Sequence, residues 1–140
     1  MILTIYTDGA SRGNPGASSY GFVITDQPGK IVYQEGKYIG MATNNIAEYT
    51  AVLKSLEYIK DKFSLKKMEL RFFTDSRLVA EQLSGRFKIK SPNLRPLFWE
   101  IKKIESQIGQ VSYSHVRREY NQQADNLANE ALDKLPLRQF

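Results

Sequence analysis

The chain has 140 residues, 20 Lys and Arg against 15 Asp and Glu, and a net charge of +5, a length that suits one domain burying roughly two-thirds of its surface. It contains no cysteine, which excludes disulfides and thiolate metal sites and leaves oxygen ligands, favouring magnesium or manganese over zinc. No run of about 18 apolar residues occurs and no basic leader precedes the first strand pattern, so a membrane span and a signal peptide are not expected and a cytoplasmic location is.

Residues 1–7 alternate and predict a strand that ends at Asp8. Gly9, Gly13, Asn14, Pro15 and Gly16 then predict a turn region over 8–17. Strands over 20–25 and 30–39 are joined by an Asp26-Gln27-Pro28-Gly29 turn. A long helix is expected over 45–62, with Thr43 or Asn44 as N-cap. A fourth strand over 67–74 runs into Asp75, and a short helix over 76–83 is closed by Ser84 and Gly85. A helix over 92–108, a strand over 110–116 and a helix over 121–135 stopped by Pro136 complete the chain, with 137–140 as a frayed end. The order βββαβααβα implies an α/β fold: a mixed five-stranded sheet flanked by helices, all of residues 1–140 forming a single domain.

Two acids follow apolar β-branched runs, Asp8 after Tyr6-Thr7 and Asp75 after Phe73-Thr74. Ends of strands are where open α/β sheets keep their chemistry. Glu48 lies within roughly 20–40° of Ile59 and Val52 on the buried stripe of its helix, and Asp125 only ~20° from Leu132 on its own. Both are therefore aimed at the sheet. Each acid has an ordinary reading as well: Asp8 as a turn former, Asp75 as a helix N-cap, Glu48 as a near-cap acid and Asp125 as a partner of the helix dipole. Crowded together without a cationic neighbour, four carboxylates need a metal ion to offset their desolvation. That points to metal-dependent phosphoryl transfer on a nucleic acid. Charge placement agrees: residues 86–118 hold eight Lys and Arg against two Glu, or +6, so the rest of the chain is −1. The segment reads as a polyanion-binding surface or as a solvated basic face.

Thr7-Asp8-Gly9-Ala10-Ser11-Arg12-Gly13-Asn14-Pro15-Gly16, Thr43-Asn44-Asn45-Ile46-Ala47-Glu48, Thr74-Asp75-Ser76 and Asn121-Gln122-Gln123-Ala124-Asp125 together resemble type 1 ribonuclease H, in order and along essentially the whole chain. The resemblance implies the ribonuclease H-like fold and hydrolysis of the RNA strand of RNA–DNA hybrids by two magnesium ions, with manganese as a possible substitute. It implies 5′-phosphate and 3′-hydroxyl ends and a monomer. It carries over Asp8, Glu48, Asp75 and Asp125 as catalytic metal ligands, with Asp8 bridging both ions and Asp75 between the ions and the nucleophile. Asn14, Asn44 and Asn45 match minor-groove contacts to the hybrid, Gly9 and Ser11 contacts near the 2′-hydroxyl, and Thr43 a DNA phosphate contact.

Several departures from better-known members carry consequences. The sole histidine, His115, falls inside the alternating run 111–116, so Arg118 is the candidate to assist product or metal departure. The segment 85–93 is too short for a separate basic protrusion; Arg86, Lys88 and Lys90, alternating with Phe87 and Ile89, substitute in part. No hybrid-binding module is read ahead of residue 1. Phe98 and Trp99, on a helix with Leu94, Ile101 and Ile104, are expected in the core, and Arg77 stands where relatives often carry a neutral amide. Three alternatives remain: relaxed specificity including double-stranded RNA, a non-catalytic nucleic-acid-binding domain, and a DNA-directed integrase or resolvase.

Overall fold

The computed structural model describes residues 1–135; Pro136 as a helix stop and the expected frayed end lie outside them. Five strands form one sheet in the order β3-β2-β1-β4-β5: β1 (Ile2–Gly13), β2 (Gly16–Thr25), β3 (Ile31–Ala42), β4 (Glu69–Thr74) and β5 (Gln110–His115). The first three run antiparallel to one another, while β4 is parallel to both β1 and β5. The helices are α1 (Asn44–Lys62), α2 (Arg77–Leu83), α3 (Arg95–Glu105) and α4 (Gln122–Asp133), with 3-10 turns at Leu65–Lys67 and Arg118–Tyr120.

α1 covers one face of the sheet. Leu3 and Ile5 of β1, Phe22 and Ile24 of β2, and Leu70 and Phe72 of β4 meet its Tyr49, Val52, Leu56 and Ile59 in the main core. Full burial of each such aliphatic chain contributes about 1.5–3 kcal/mol. α4 lies on the opposite face, across β2, β3 and β1. It approaches so closely that a Cβ on Gly21 would stand 2.3 Å from the Ala124 carbonyl oxygen. Covered on both sides, β2 is buried almost throughout instead of alternating.

Several boundaries differ from the sequence expectation. The span 8–17 is not a turn region: β1 and β2 pair rung by rung up to Gly13–Gly16, leaving only Asn14 and Pro15 at the tip. β3 likewise runs on to Ala42, and α3 is shorter at both ends than 92–108. Residues 91–94 close a turn instead, and Ile108 bonds back to Glu105 in the i→i+3 pattern of a tightening helix end. Trp99 is not core. It projects to solvent, 66% exposed, with Phe98 edge-on beside it and packed against the core in its place.

Candidate active site

Parallel pairing of β1 with β4 stops at the Thr7–Thr74 rung, whereas β1 continues beside β2 through Asp8–Gly21. Asp8 and Asp75 therefore follow the last shared rung side by side. Asp75 does not cap α2; the Ser76 hydroxyl does, accepting from the Val79 N–H at 3.3 Å, so the Asp75 carboxylate stays free for the cleft. Thr43 is the N-cap of α1, accepting from the Ile46 N–H at 3.2 Å. The helix then passes against β1 at Gly9, where a Cβ would lie 2.4 Å from the Glu48 backbone nitrogen. Only a residue without a side chain admits α1 this close.

One carboxylate oxygen from each of Asp8, Glu48 and Asp75 lies within 4.8 Å of the others. Asp125, in the first turn of α4, lies close enough to Asp8 to act on its carboxyl without joining that trio. Asp8 and Glu48 are 4% and 8% exposed, buried more deeply than acids tolerate without a partner. Burial first, then the charges of Glu48 and Asp75, push the Asp8 pKa far above the carboxylate range. Burial likewise raises Glu48, with Asp75 adding to it and the approach of Asp8 and the Gly9 N–H offsetting part. Glu48 Oε2 is buried and accepts no hydrogen bond from the described residues. Hard oxygen donors, two of them buried acids whose charged forms are disfavoured where nothing neutralises them, fit a divalent cation of the magnesium type.

The acids line a cleft of about 610 Å³ together with Gly9, Ser11, Asn44, Asn45 and Arg118. Asn14 and Thr43 stand apart from it, in an adjoining recess of about 340 Å³ that shares Asn44 and Asn45. Two of the residues expected to touch the hybrid also hold the fold together. Asn14 Oδ1 accepts from the Asn44 N–H at 3.0 Å, and the Ser11 hydroxyl donates to the Ala42 carbonyl at 3.1 Å. Ser76 and Asn129 in the cleft, and Ser91 and Asn93 in the recess, were not anticipated. Asn129 donates to Asp125 Oδ1 at 3.1 Å, and its i,i+4 spacing from Asp125 was the available signal.

Arg118 opens the turn Arg118–Tyr120 and lies 3.8 Å from Asp75, with its side chain 84% exposed. It lines the same cleft as the four acids. His115 ends β5, paired with Thr74, and is exposed.

A family model described as reverse transcriptase-like matches residues 6–131. The bifunctional protein Rv2228c of Mycobacterium tuberculosis is 42% identical over 134 residues, which cover 95% of this chain and 36% of that protein. Ribonuclease HI of Halobacterium salinarum is 44% identical over 128 residues, 91% of this chain and 63% of its own length. The chain thus spans about a third of the first relative and under two-thirds of the second. Among solved structures, LC11-RNase H1 from compost in complex with RNA/DNA hybrid matches with a TM-score of 0.89 at 40% identity, covering 94% of this chain and 97% of that one. With the sheet order, the helices and this level of identity shared along nearly the full length of both chains, the chain belongs to the ribonuclease H family of enzymes, in its type 1 form.

Proposed function

We propose that the protein hydrolyses the RNA strand of RNA–DNA hybrids, leaving 5′-phosphate and 3′-hydroxyl ends. The observation that carries this function is the trio of carboxylates within 4.8 Å, two of them buried, with Asp125 alongside. Bound there, two magnesium ions, or manganese in their place, would activate a water for in-line attack and stabilise the departing 3′ oxygen. Asp8, which lies close to Glu48, Asp75 and Asp125 alike, is the acid suited to touch both ions. Asp75, at the mouth of the cleft, is suited to face the attacking water. Glu48 and Asp125 would each serve one ion.

Gly9 and Ser11 line the cleft beside the acids, which supports their backbone groups as contacts for the ribose 2′-hydroxyl that distinguishes RNA from DNA. Asn44 and Asn45 span the cleft and the recess, so their amides suit both strands of a hybrid across its minor groove. Asn14 and Thr43 then fall on the DNA strand, with the Thr43 hydroxyl proton free for a phosphate while its oxygen caps α1. Arg118 supports departure of product from the Asp75 side. Residues 1–140 act as one catalytic domain, a monomer working in the cytoplasm. Among the described residues no helix is long and apolar enough to cross a membrane.

The test is cleavage of sequence-matched hybrid, double-stranded RNA and duplex DNA, with and without magnesium, followed by end-group analysis. Magnesium-dependent cuts confined to the RNA of the hybrid are expected. Cleavage of double-stranded RNA at a comparable rate would replace hybrid specificity with the relaxed alternative. No cleavage of any substrate would leave a nucleic-acid-binding domain.

A further inference from the structure

Asn121 is 1% exposed, yet it lines neither the cleft nor the recess. Its Nδ2 donates to the Thr7 carbonyl at 2.9 Å, joining positions 114 residues apart. Its own N–H bonds to the Arg118 carbonyl at 2.9 Å, and its carbonyl accepts from the Asp125 N–H at 3.1 Å. One residue thus closes the turn that carries Arg118, opens the helix that carries Asp125, and fastens both to β1 one residue before Asp8. The side chain makes no capping bond to α4, and its Oδ1 accepts nothing from the described residues. The amide is used only as a donor across to the strand.

We infer that Asn121 is a positioning residue that sets the distance between Asp125 and Asp8, and through it the cation affinity of the site. This rests on the proposed metal-dependent function. The α4 helix also meets the sheet at Gly21, the β2 neighbour of Asp8, and at Gly36, through the backbone of Ala124, Leu127 and Ala128. Those contacts seat the helix on β2 and β3, whereas the Asn121 amide bonds its start to β1 itself, one residue before Asp8. Serine at position 121 keeps a side chain suited to a helix N-terminus but is too short to reach the Thr7 carbonyl. Asn121→Ser therefore removes the clamp while keeping a residue tolerated at a helix start, and is the variant to use where Asn121→Ala fails to fold.

The experiment is thermal unfolding of the intact protein, without substrate, over a magnesium chloride titration. Wild-type protein is expected to melt higher as magnesium rises, and the half-maximal concentration reports affinity. In Asn121→Ser that concentration should rise about tenfold, in the range seen when groups supporting metal ligands are removed. At saturating magnesium the KM for hybrid should stay at the wild-type value, with kcat recovering as magnesium is raised. Leu132→Ala, on the same helix and away from Asn121, should lower the melting point and leave the magnesium midpoint unchanged. An Asn121→Ser protein that melts lower but keeps the wild-type midpoint would overturn the inference and reduce Asn121 to a fold residue. A wild-type protein indifferent to magnesium would instead overturn the metal-dependent function beneath it.

Discussion

The acidic centre and the basic segment 86–118 hold charge in opposite ways. In the centre, acids from four separate places in the chain meet at the end of one strand pair, and among the described residues the one cation lining their cleft is Arg118, 3.8 Å from Asp75. In the basic segment, half of the eight cations already have an acidic partner: Arg86 with Glu81, Lys102 with Glu105, Arg117 with Glu119 and Arg118 with Asp75. Of the others, Lys88 and Lys90 face a groove that reaches Asn45 at the edge of the cleft. Formal charge therefore understates the first region and overstates the second. The centre depends on positions fixed by packing, so single substitutions there should be severe. The basic segment is exposed and redundant, so its substitutions should be graded.

Replacing Asp8 or Asp75 by Asn should have the largest effect, lowering hybrid cleavage by several orders of magnitude while the metal-free protein melts at the same temperature or higher, because repulsion is relieved. Near-wild-type turnover in Asp8→Asn would dissolve the contrast at once. The pH dependence sharpens it. Asp8 and Glu48 have raised pKa values in the folded state, so above about pH 4 the folded protein holds protons that the unfolded chain has released. Metal-free stability contributed by these groups is then full below about pH 4 and lost as pH rises through the folded values. Melting curves in a chelator should fall across that window, flatten in Asp8→Asn and flatten with added magnesium. A metal-free curve rising toward neutrality would contradict the raised values.

Arg118→Ala should reduce turnover by roughly one to two decades. His115→Ala, at an exposed strand end, should change neither rate nor stability appreciably, and no pH–rate inflection should vanish with it. A large rate loss in His115→Ala alone would exchange the two assignments. Next in size, Lys88→Ala with Lys90→Ala should raise KM and reduce the salt slope by about 0.9 for each phosphate no longer neutralised, with kcat little changed. Arg86→Ala should add less, since Glu81 already holds that guanidinium through two hydrogen bonds. The smallest effect is expected for Trp99→Ala, within about 0.5 kcal/mol by urea unfolding, because the ring is mostly in water.

The order of elements and the meeting of the four acids were legible because both follow from periodicity: apolar runs ending at Asp8 and Asp75, and helical stripes carrying Glu48 and Asp125. Extents were less so. The density of Gly, Asn and Pro after Asp8 reads as a turn, yet most of it lies within paired strands. Nothing local distinguishes a glycine that bends the chain from one that makes room for a neighbour. Trp99 misled for a related reason. Its helix has two apolar edges, and only the packing of α3 against α1 decides that Ile101 and Ile104 turn inward. The link from Asn121 to Thr7 spans 114 residues and leaves no periodic trace at all.

Gly9 shows how narrow the tolerances of such a centre are. The space its missing side chain leaves is occupied by the backbone of Ala47 and Glu48, at 2.5 and 2.4 Å from where a Cβ would be. A single added methyl group could be accommodated only by retreat of the helix, and Glu48 would retreat with it. Gly9→Ala should thus imitate loss of an acid while leaving every carboxylate in the sequence intact, a lesion invisible to any inventory of chemical groups. The reactivity of this centre depends as much on one atom's absence as on the oxygens present.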